Sequence, residues 1–223
     1  HGGGLRAGGP PPGPFPGEDG EAPEFKYDPH VWTSPKQAKI QVDNIVNTLS
    51  QASPQAKDAF TAAGKKYTDQ LEDLDKWASD SMSAVPEQDR VLFSSHDAFG
   101  YFSNEYGVKF IGSALSDFNH QQDATSSHID EQVKKVRESG AKAIFAENSN
   151  NSKSIEAIAR AAGVKAVTSD DALYGDSLGV PGSEGETYIG SIVHNINTLV
   201  SAWDSKQQPL PESLQEFDFA KRK

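Results

Sequence analysis

The chain has 223 residues, of which 35% are hydrophobic and 24% are charged, and its formal net charge at pH 7 is −11. This composition is typical of a globular protein, and the negative charge disfavours contact with a phosphate backbone, so we expect no nucleic-acid partner. Because the sequence has no cysteine, disulfides, zinc–thiolate sites and a cysteine nucleophile are excluded. Any metal site must therefore use imidazole and carboxylate ligands.

Residues 1–26 begin the chain with a stretch that is dominated by glycine and proline. Its few apolar side chains would not repay the entropy lost on ordering the backbone, so we predict a disordered loop or linker. No apolar run in the chain approaches the roughly 20 residues that a membrane-spanning helix needs.

Two helices are predicted next. Ser34 followed by Pro35 is a typical helix start, and apolar residues recur at helical spacing up to about residue 52. Ser53 and Pro54 repeat this start signal, and a second apolar stripe continues to about Val85, just before a proline. A helix over most of 53–86 would be roughly 45 Å long, which is the length of a strut rather than of an ordinary globular helix.

From Arg90 onward the apolar pattern changes to short runs of strand length, and a helical pattern follows each run. The strands are predicted at 91–95, 108–112, 142–146 and 164–168, and the helices at about 97–106, 125–139, 152–162 and 186–204. Alternation of strand and helix predicts an α/β fold with a four-stranded parallel sheet covered by helices on both faces. We place this lobe at 87–206 and a tail at 207–223.

Three polar residues follow predicted strands, at the sheet edge where α/β proteins bind ligands. His96 comes directly after "VLFSS", Glu147 comes directly after "KAIFA", and Asp176 lies in "LYGDSLG" after the fourth strand. One imidazole and two carboxylates that meet at this edge would form a metal site or a catalytic site. Each residue also has a structural interpretation, as a helix cap, a partner of a backbone amide or a turn former.

The chain from Tyr27 to about Ser205 resembles the cluster A-I substrate-binding proteins of bacterial ABC transporters for zinc and manganese. The resemblance rests on an ordered set of motifs: "DPHVW" before a proline-started helix, a long helix, "SHDAFGYFSNEYGVK", "AIFAEN", and "LYGDSLG" before a final helix. In that family a metal lies between two α/β lobes joined by one long helix. The resemblance implies that the metal ligands in this chain are His30, His96 and Asp176.

The resemblance also implies a division of the chain and a set of partners. Residues 27–52 would carry a ligand motif and a helix that packs on an N-terminal lobe, 53–86 would be the linking helix, and 87–206 would be the C-terminal lobe. The N-terminal lobe, absent here, would supply a further histidine ligand and a lipid anchor. The protein would then lie in the periplasm or at the cell surface and deliver a divalent metal ion to the membrane permease of an ABC importer.

Zn²⁺ is the expected ion, with Mn²⁺ as the alternative, because His96 stands where many manganese-type members have glutamate, and imidazole is the more zinc-like donor. The other histidines have weaker claims. His120, in "DFNHQQD", is a candidate for auxiliary metal capture, and we expect His128 and His194 to be solvated.

Two other functions remain open from the sequence. The first is a hydrolytic enzyme in which His96 is a general base oriented by Asp176 or Glu147, although the chain has no nucleophile elbow, P-loop or dinucleotide fingerprint. The second is a surface adhesin domain that functions without metal. Metal binding without turnover would favour the carrier over both.

Overall fold

The computed structural model describes residues 27–115 and 126–222, so the predicted disordered segment 1–26 and His120 lie outside the described residues. The helices are α1 (Pro35–Ala52), α2 (Lys57–Ser83), α3 (Gly100–Tyr106), α4 (Ser126–Ser139), α5 (Lys153–Ala162) and α6 (Tyr188–Ala202). The strands are β1 (Val91–Ser94), β2 (Lys109–Ser113), β3 (Ala143–Phe145) and β4 (Lys165–Val167). Short 3₁₀ turns join several of these elements.

The four strands form one parallel sheet in the order β2-β1-β3-β4, which confirms the predicted fold class. Successive strand residues point to opposite faces, as the pleat requires. Leu92 and Phe145 join a core with α2, α3 and α6, while Phe93 and Ile144 join a second core with α4 and α5. Helices therefore cover both faces, and the described loops that follow the strands meet at the carboxyl edge of the sheet.

Helices α1 and α2 pack against each other in front of this lobe. Ser34 caps α1, with its hydroxyl oxygen accepting from the Gln37 amide at 3.4 Å, as the sequence predicted. The two helices approach closely at Gly64, where a Cβ atom would lie only 2.5 Å from Val46 Cγ2. Helix α2 has 27 residues, or about 40 Å at 1.5 Å per residue, and its buried residues begin only at Thr68.

Three apolar side chains of α1 face outward. Ile40, Ile45 and Leu49 are 49%, 57% and 42% exposed, and only Pro35 and Ala38 of this helix are buried. The first eleven residues of α2 and one face of α1 therefore have few buried side chains within the described part of the chain.

Two boundaries differ from the predicted ones for local reasons. Helix α3 begins at Gly100 rather than near 97, because the segment after β1 first makes a tight turn in which the Ala98 amide donates to the His96 carbonyl at 3.0 Å. Residues 54–56 form a 3₁₀ turn, so α2 begins three residues later than the Ser-Pro signal indicated.

Residues beyond α6 pack on the lobe. The Trp77 indole donates to the Gln208 carbonyl at 3.2 Å, and Leu214 in the 3₁₀ turn Glu212–Phe217 is fully buried between α2 and α6. None of the helices within 27–115 and 126–222 combines the length and the apolar character needed to cross a membrane.

Candidate metal centre

The turn before α1 fixes His30. The sequence Asp28-Pro29-His30 folds back on itself, so that Asp28 Oδ1 accepts from the His30 backbone amide at 3.0 Å and lies 2.7 Å from His30 Nδ1. Because a carboxylate only accepts hydrogen bonds, Nδ1 carries the proton in this contact. The other ring nitrogen, Nε2, is directed away from Asp28, and the whole residue is only 3% exposed.

His96 is held in the same manner by a residue that follows another strand. Glu147, which follows β3, uses Oε2 to accept from the His96 backbone amide at 2.8 Å and lies 2.8 Å from His96 Nδ1. The Glu147 amide in turn donates to Ser95 Oγ at 3.1 Å. His96 and Glu147 are buried, so the ring orientation is set by the adjacent ends of two parallel strands.

Asp176 completes the cluster from the loop after β4. Its Oδ1 lies 3.2 Å from His30 Nε2 and its Oδ2 lies 3.0 Å from His96 Nε2. The ligand atoms that the three residues offer all lie within 4.8 Å of one another. The structure therefore brings the three sequence-predicted residues together from three separate parts of the chain.

Trp32 joins two of these parts. Its indole nitrogen donates to the Gly175 carbonyl at 2.8 Å, and its own carbonyl accepts from the Tyr188 hydroxyl at 2.6 Å. Gly175 has no room for a side chain, because a Cβ atom there would lie 2.4 Å from Glu147 Oε1. The turn with His30, the loop with Asp176 and the start of α6 are thus tied together.

The surrounding charges shift the pKa values of all three residues. Burial lowers the pKa of His30, but hydrogen bonds and charges from Asp176 and Asp28 outweigh it and raise the pKa to about 9. Burial also lowers the pKa of His96, but hydrogen bonds and charges from Asp176 and Glu147 outweigh it and raise the pKa to about 10. Burial raises the pKa of Asp176, but the two histidines bring it below its usual range. Both shifts favour the doubly protonated form of the imidazoles in the metal-free chain.

This arrangement has the chemistry of a transition-metal site. Two imidazole nitrogens and one carboxylate oxygen are ligands that zinc and related ions prefer, and each imidazole has the buried carboxylate behind it that orients ligating histidines in known metal sites. A divalent cation would replace the Nε2 proton of each ring, while Nδ1 keeps its proton towards Asp28 or Glu147.

The sequence analysis missed Asp28 and Trp32 and assigned no definite role to Glu147. The role of Asp28 could have been predicted locally, since a carboxylate two residues before a histidine can close such a turn. No sequence pattern predicts the contact of Trp32 with Gly175. The expectation for His194 was wrong, because it is buried with Nδ1 2.7 Å from Glu184 Oε2 and Nε2 2.9 Å from the Ala172 carbonyl. His128 is also not fully solvated, with Nε2 3.0 Å from the Ser113 carbonyl.

A His–His–Asp cluster at the carboxyl edge of a parallel sheet, in a lobe preceded by a long helix, is the layout of a metal-binding substrate-binding protein. Residues 5–202 match the family model described as zinc-uptake complex component A, periplasmic. The chain belongs to this family, the cluster A-I metal-binding substrate-binding proteins.

Individual relatives agree with this family. The chain is 40% identical over 178 residues to the manganese-binding lipoprotein MntA of Bacillus subtilis, covering 79% of this chain and 58% of the relative. It is 32% identical to the zinc-binding protein TroA of Treponema pallidum, covering 80% and 58%. A solved structure of periplasmic TroA superposes with a TM-score of 0.75 at 30% identity, covering 83% of this chain and 67% of that one. The chain thus spans a little under three fifths of the length of these two curated relatives.

Proposed function

We propose that this chain is the part of a substrate-binding protein that captures a divalent transition metal ion for an ABC importer, with His30, His96 and Asp176 as ligands. The observation that carries the proposal is the convergence of their ligand atoms within 4.8 Å, with both imidazoles already oriented by buried carboxylates. The names of the relatives support it, since they describe a manganese-binding lipoprotein and a zinc-binding protein.

The remaining parts of this function would come from outside the described residues. An upstream lobe would supply a further histidine ligand and pack on α1, and the exposed Ile40, Ile45 and Leu49 support such a contact. The protein would be extracytoplasmic and lipid-anchored, as the names of lipoprotein relatives suggest, and its membrane partner would be the permease of the importer. The chain alone should bind metal more weakly than a form that includes the upstream lobe.

Zinc is the favoured ion and manganese the next. Imidazole donors suit Zn²⁺ better than Mn²⁺, and the general affinity order of nitrogen and oxygen sites also places Zn²⁺ above Mn²⁺. The relatives include proteins named for each metal, so the donor set of this chain, with His96 as its second imidazole, is the basis for the choice.

The contacts of His96 favour a binding protein over a hydrolase. A general base needs one ring nitrogen that faces a nucleophile or a water molecule. Both ring nitrogens of His96 instead face carboxylates, Glu147 at 2.8 Å and Asp176 at 3.0 Å, and the side chain is inaccessible to solvent. A role as an adhesin without metal does not explain why two imidazoles and three carboxylates lie together at low exposure, since burying charged groups costs free energy.

The test is a calorimetric titration of the chain with Zn²⁺ and Mn²⁺, each in competition with a chelator of known affinity. We expect tighter binding of Zn²⁺, and a loss of more than about tenfold in Asp176→Asn, since removal of groups behind the ligands alone has effects of that size. Asp80→Asn is the matched control, because Asp80 is an exposed carboxylate on α2 that pairs only with Lys76 among the described contacts.

Three results would contradict parts of the proposal. Tighter binding of Mn²⁺ would overturn the choice of zinc, and unchanged binding by Asp176→Asn would overturn the site. Hydrolysis of a carboxylate or phosphate ester that disappears in His96→Ala would favour the enzyme instead.

A further inference from the structure

The segment that leads to Asp176 is held from alternate sides, as a strand is. Leu173 pairs with the segment just after β3, since its amide donates to the Ala146 carbonyl and its carbonyl accepts from the Asn148 amide, both at 2.9 Å. The neighbouring residue, Tyr174, presents its backbone polar groups to the opposite side, towards α6. No strand lies on that side within the described residues, so another group must satisfy this peptide.

The side chain of Asn195 takes the place of that strand. Its Oδ1 accepts from the Tyr174 amide and its Nδ2 donates to the Tyr174 carbonyl, both at 2.9 Å. A side-chain amide offers the same donor and acceptor as a backbone peptide, so one residue satisfies both backbone groups of another. The preceding residue on α6, His194, lies with Nε2 2.9 Å from the Ala172 carbonyl, so residues 172 and 174 both face this helix.

Asn195 is a polar residue in the buried core, and its place in a helix does not explain its burial. The residue is 1% exposed and lies on α6 among apolar core residues such as Ile192, Ile196 and Leu199. An apolar residue would suit that environment better, since a buried amide is costly unless it is fully hydrogen-bonded. The two bonds to Tyr174 supply this compensation.

We infer that Asn195 is a positioning residue of the metal site, which sets where Asp176 stands by fixing the backbone of Tyr174. This inference rests on the proposed function. Only Gly175 separates the two residues, and its carbonyl is itself held by Trp32 at 2.8 Å, so the path from Asn195 to the Asp176 carboxylate contains no unsupported peptide. The side-chain hydrogen bonds described for Asn195 are both with Tyr174 and not with a proposed ligand, so its effect on the metal passes through Asp176.

A double-mutant cycle tests this route, because it measures whether two residues act together. Zn²⁺ affinity and the visible absorption of bound Co²⁺ are measured for the full chain, for Asn195→Ala, for Asp176→Ala and for the double variant. Asn195→Ala should weaken Zn²⁺ binding by about 10- to 100-fold, the usual effect of removing a residue that orients a ligand. It should also change the Co²⁺ bands, which report the coordination of the ion. In the Asp176→Ala background the same substitution should have almost no further effect.

The control separates positioning from general stability. Leu214→Ala removes a fully buried side chain from the packed C-terminal turn, far along the chain from the site, and should lower the melting temperature without altering the Co²⁺ bands. If Asn195→Ala does not fold, Asn195→Leu is used for the cycle, because it keeps the size without burying a charge and loses both bonds to Tyr174.

The outcomes distinguish the inference from the function on which it rests. An unchanged Zn²⁺ affinity and Co²⁺ spectrum in the Asn195 variant, or an equal loss in both backgrounds, overturns the positioning role while leaving the metal site in place. Equal metal binding by the unmodified chain and Asp176→Ala overturns the proposed ligand set, and the inference with it.

Discussion

Replacing Trp32 with phenylalanine tests how far one hydrogen bond organises the candidate metal centre. The substitution keeps an aromatic ring beside His30, whose ring centroid is 5.3 Å from that of Trp32, but removes the 2.8 Å bond from the indole to the Gly175 carbonyl. A neutral hydrogen bond of this kind contributes about 1 kcal/mol. If all of it serves to hold the His30 turn against the Asp176 loop, Zn²⁺ affinity should fall by up to about fivefold.

The chain provides a matched control for this experiment. Trp77→Phe removes the same type of bond, from an indole to the Gln208 carbonyl at 3.2 Å, and Trp77 has no described hydrogen bond to the candidate metal centre. Both variants should lose about 1 kcal/mol in the free energy of unfolding of the Zn²⁺-loaded chain, measured by urea denaturation, whereas only Trp32→Phe should lose Zn²⁺ affinity in competition calorimetry. An equal loss of affinity in both variants, or no loss in Trp32→Phe, would refute the reasoning.

Three further predictions concern pH, space and packing. The pKa values of His30 and His96 are raised to about 9 and about 10, so their protonation stabilises the metal-free fold fully below pH 6.5, and this contribution should be lost as pH rises towards 10. Zn²⁺ affinity should increase over the same range, because the ion competes with these protons. Thermal melting and calorimetry at several pH values measure the two trends. Gly175→Ala should weaken Zn²⁺ binding and lower stability by about 1–3 kcal/mol, because its Cβ would collide with Glu147; a Co²⁺ spectrum identical to that of the parent would contradict this. Leu214→Ala should lower the free energy of unfolding by about 2–5 kcal/mol in urea denaturation, which a solvated tail would not show.

The sequence pattern was sufficient for the elements and for placing His96, Glu147 and Asp176 at one edge of the sheet. The strand runs alternate with helical stripes clearly enough to predict a parallel sheet, and such a sheet gathers the residues after its strands at one edge, where His96 and Asp176 are found. The position of His30 came from a family resemblance, since nothing in periodicity alone brings residue 30 to an edge formed after residue 90.

Contacts between distant segments could not be predicted from sequence patterns. Glu147 could be placed at the correct edge, yet its position behind His96 depends on the pairing of β1 with β3, which is known only once the strand order is known. His194 was misjudged for a similar reason. From the sequence, a histidine beside an apolar stripe is expected to be solvated. In the fold, Ala172 and Glu184 place an oxygen near each of its ring nitrogens, and sequence spacing does not reveal these contacts.

The shared acceptor behind each imidazole has a consequence for how an ion is captured and released. One oxygen of Asp28 and one of Glu147 each bind both the ring and the backbone of the same histidine, so neither ring can rotate without leaving a buried carboxylate. The rotamer entropy of both rings is therefore lost when the chain folds and not when the ion arrives. In the proposed function, release would therefore not proceed by rotation of either imidazole, and it would require movement of the Asp176 side chain or of a whole segment such as the His30 turn.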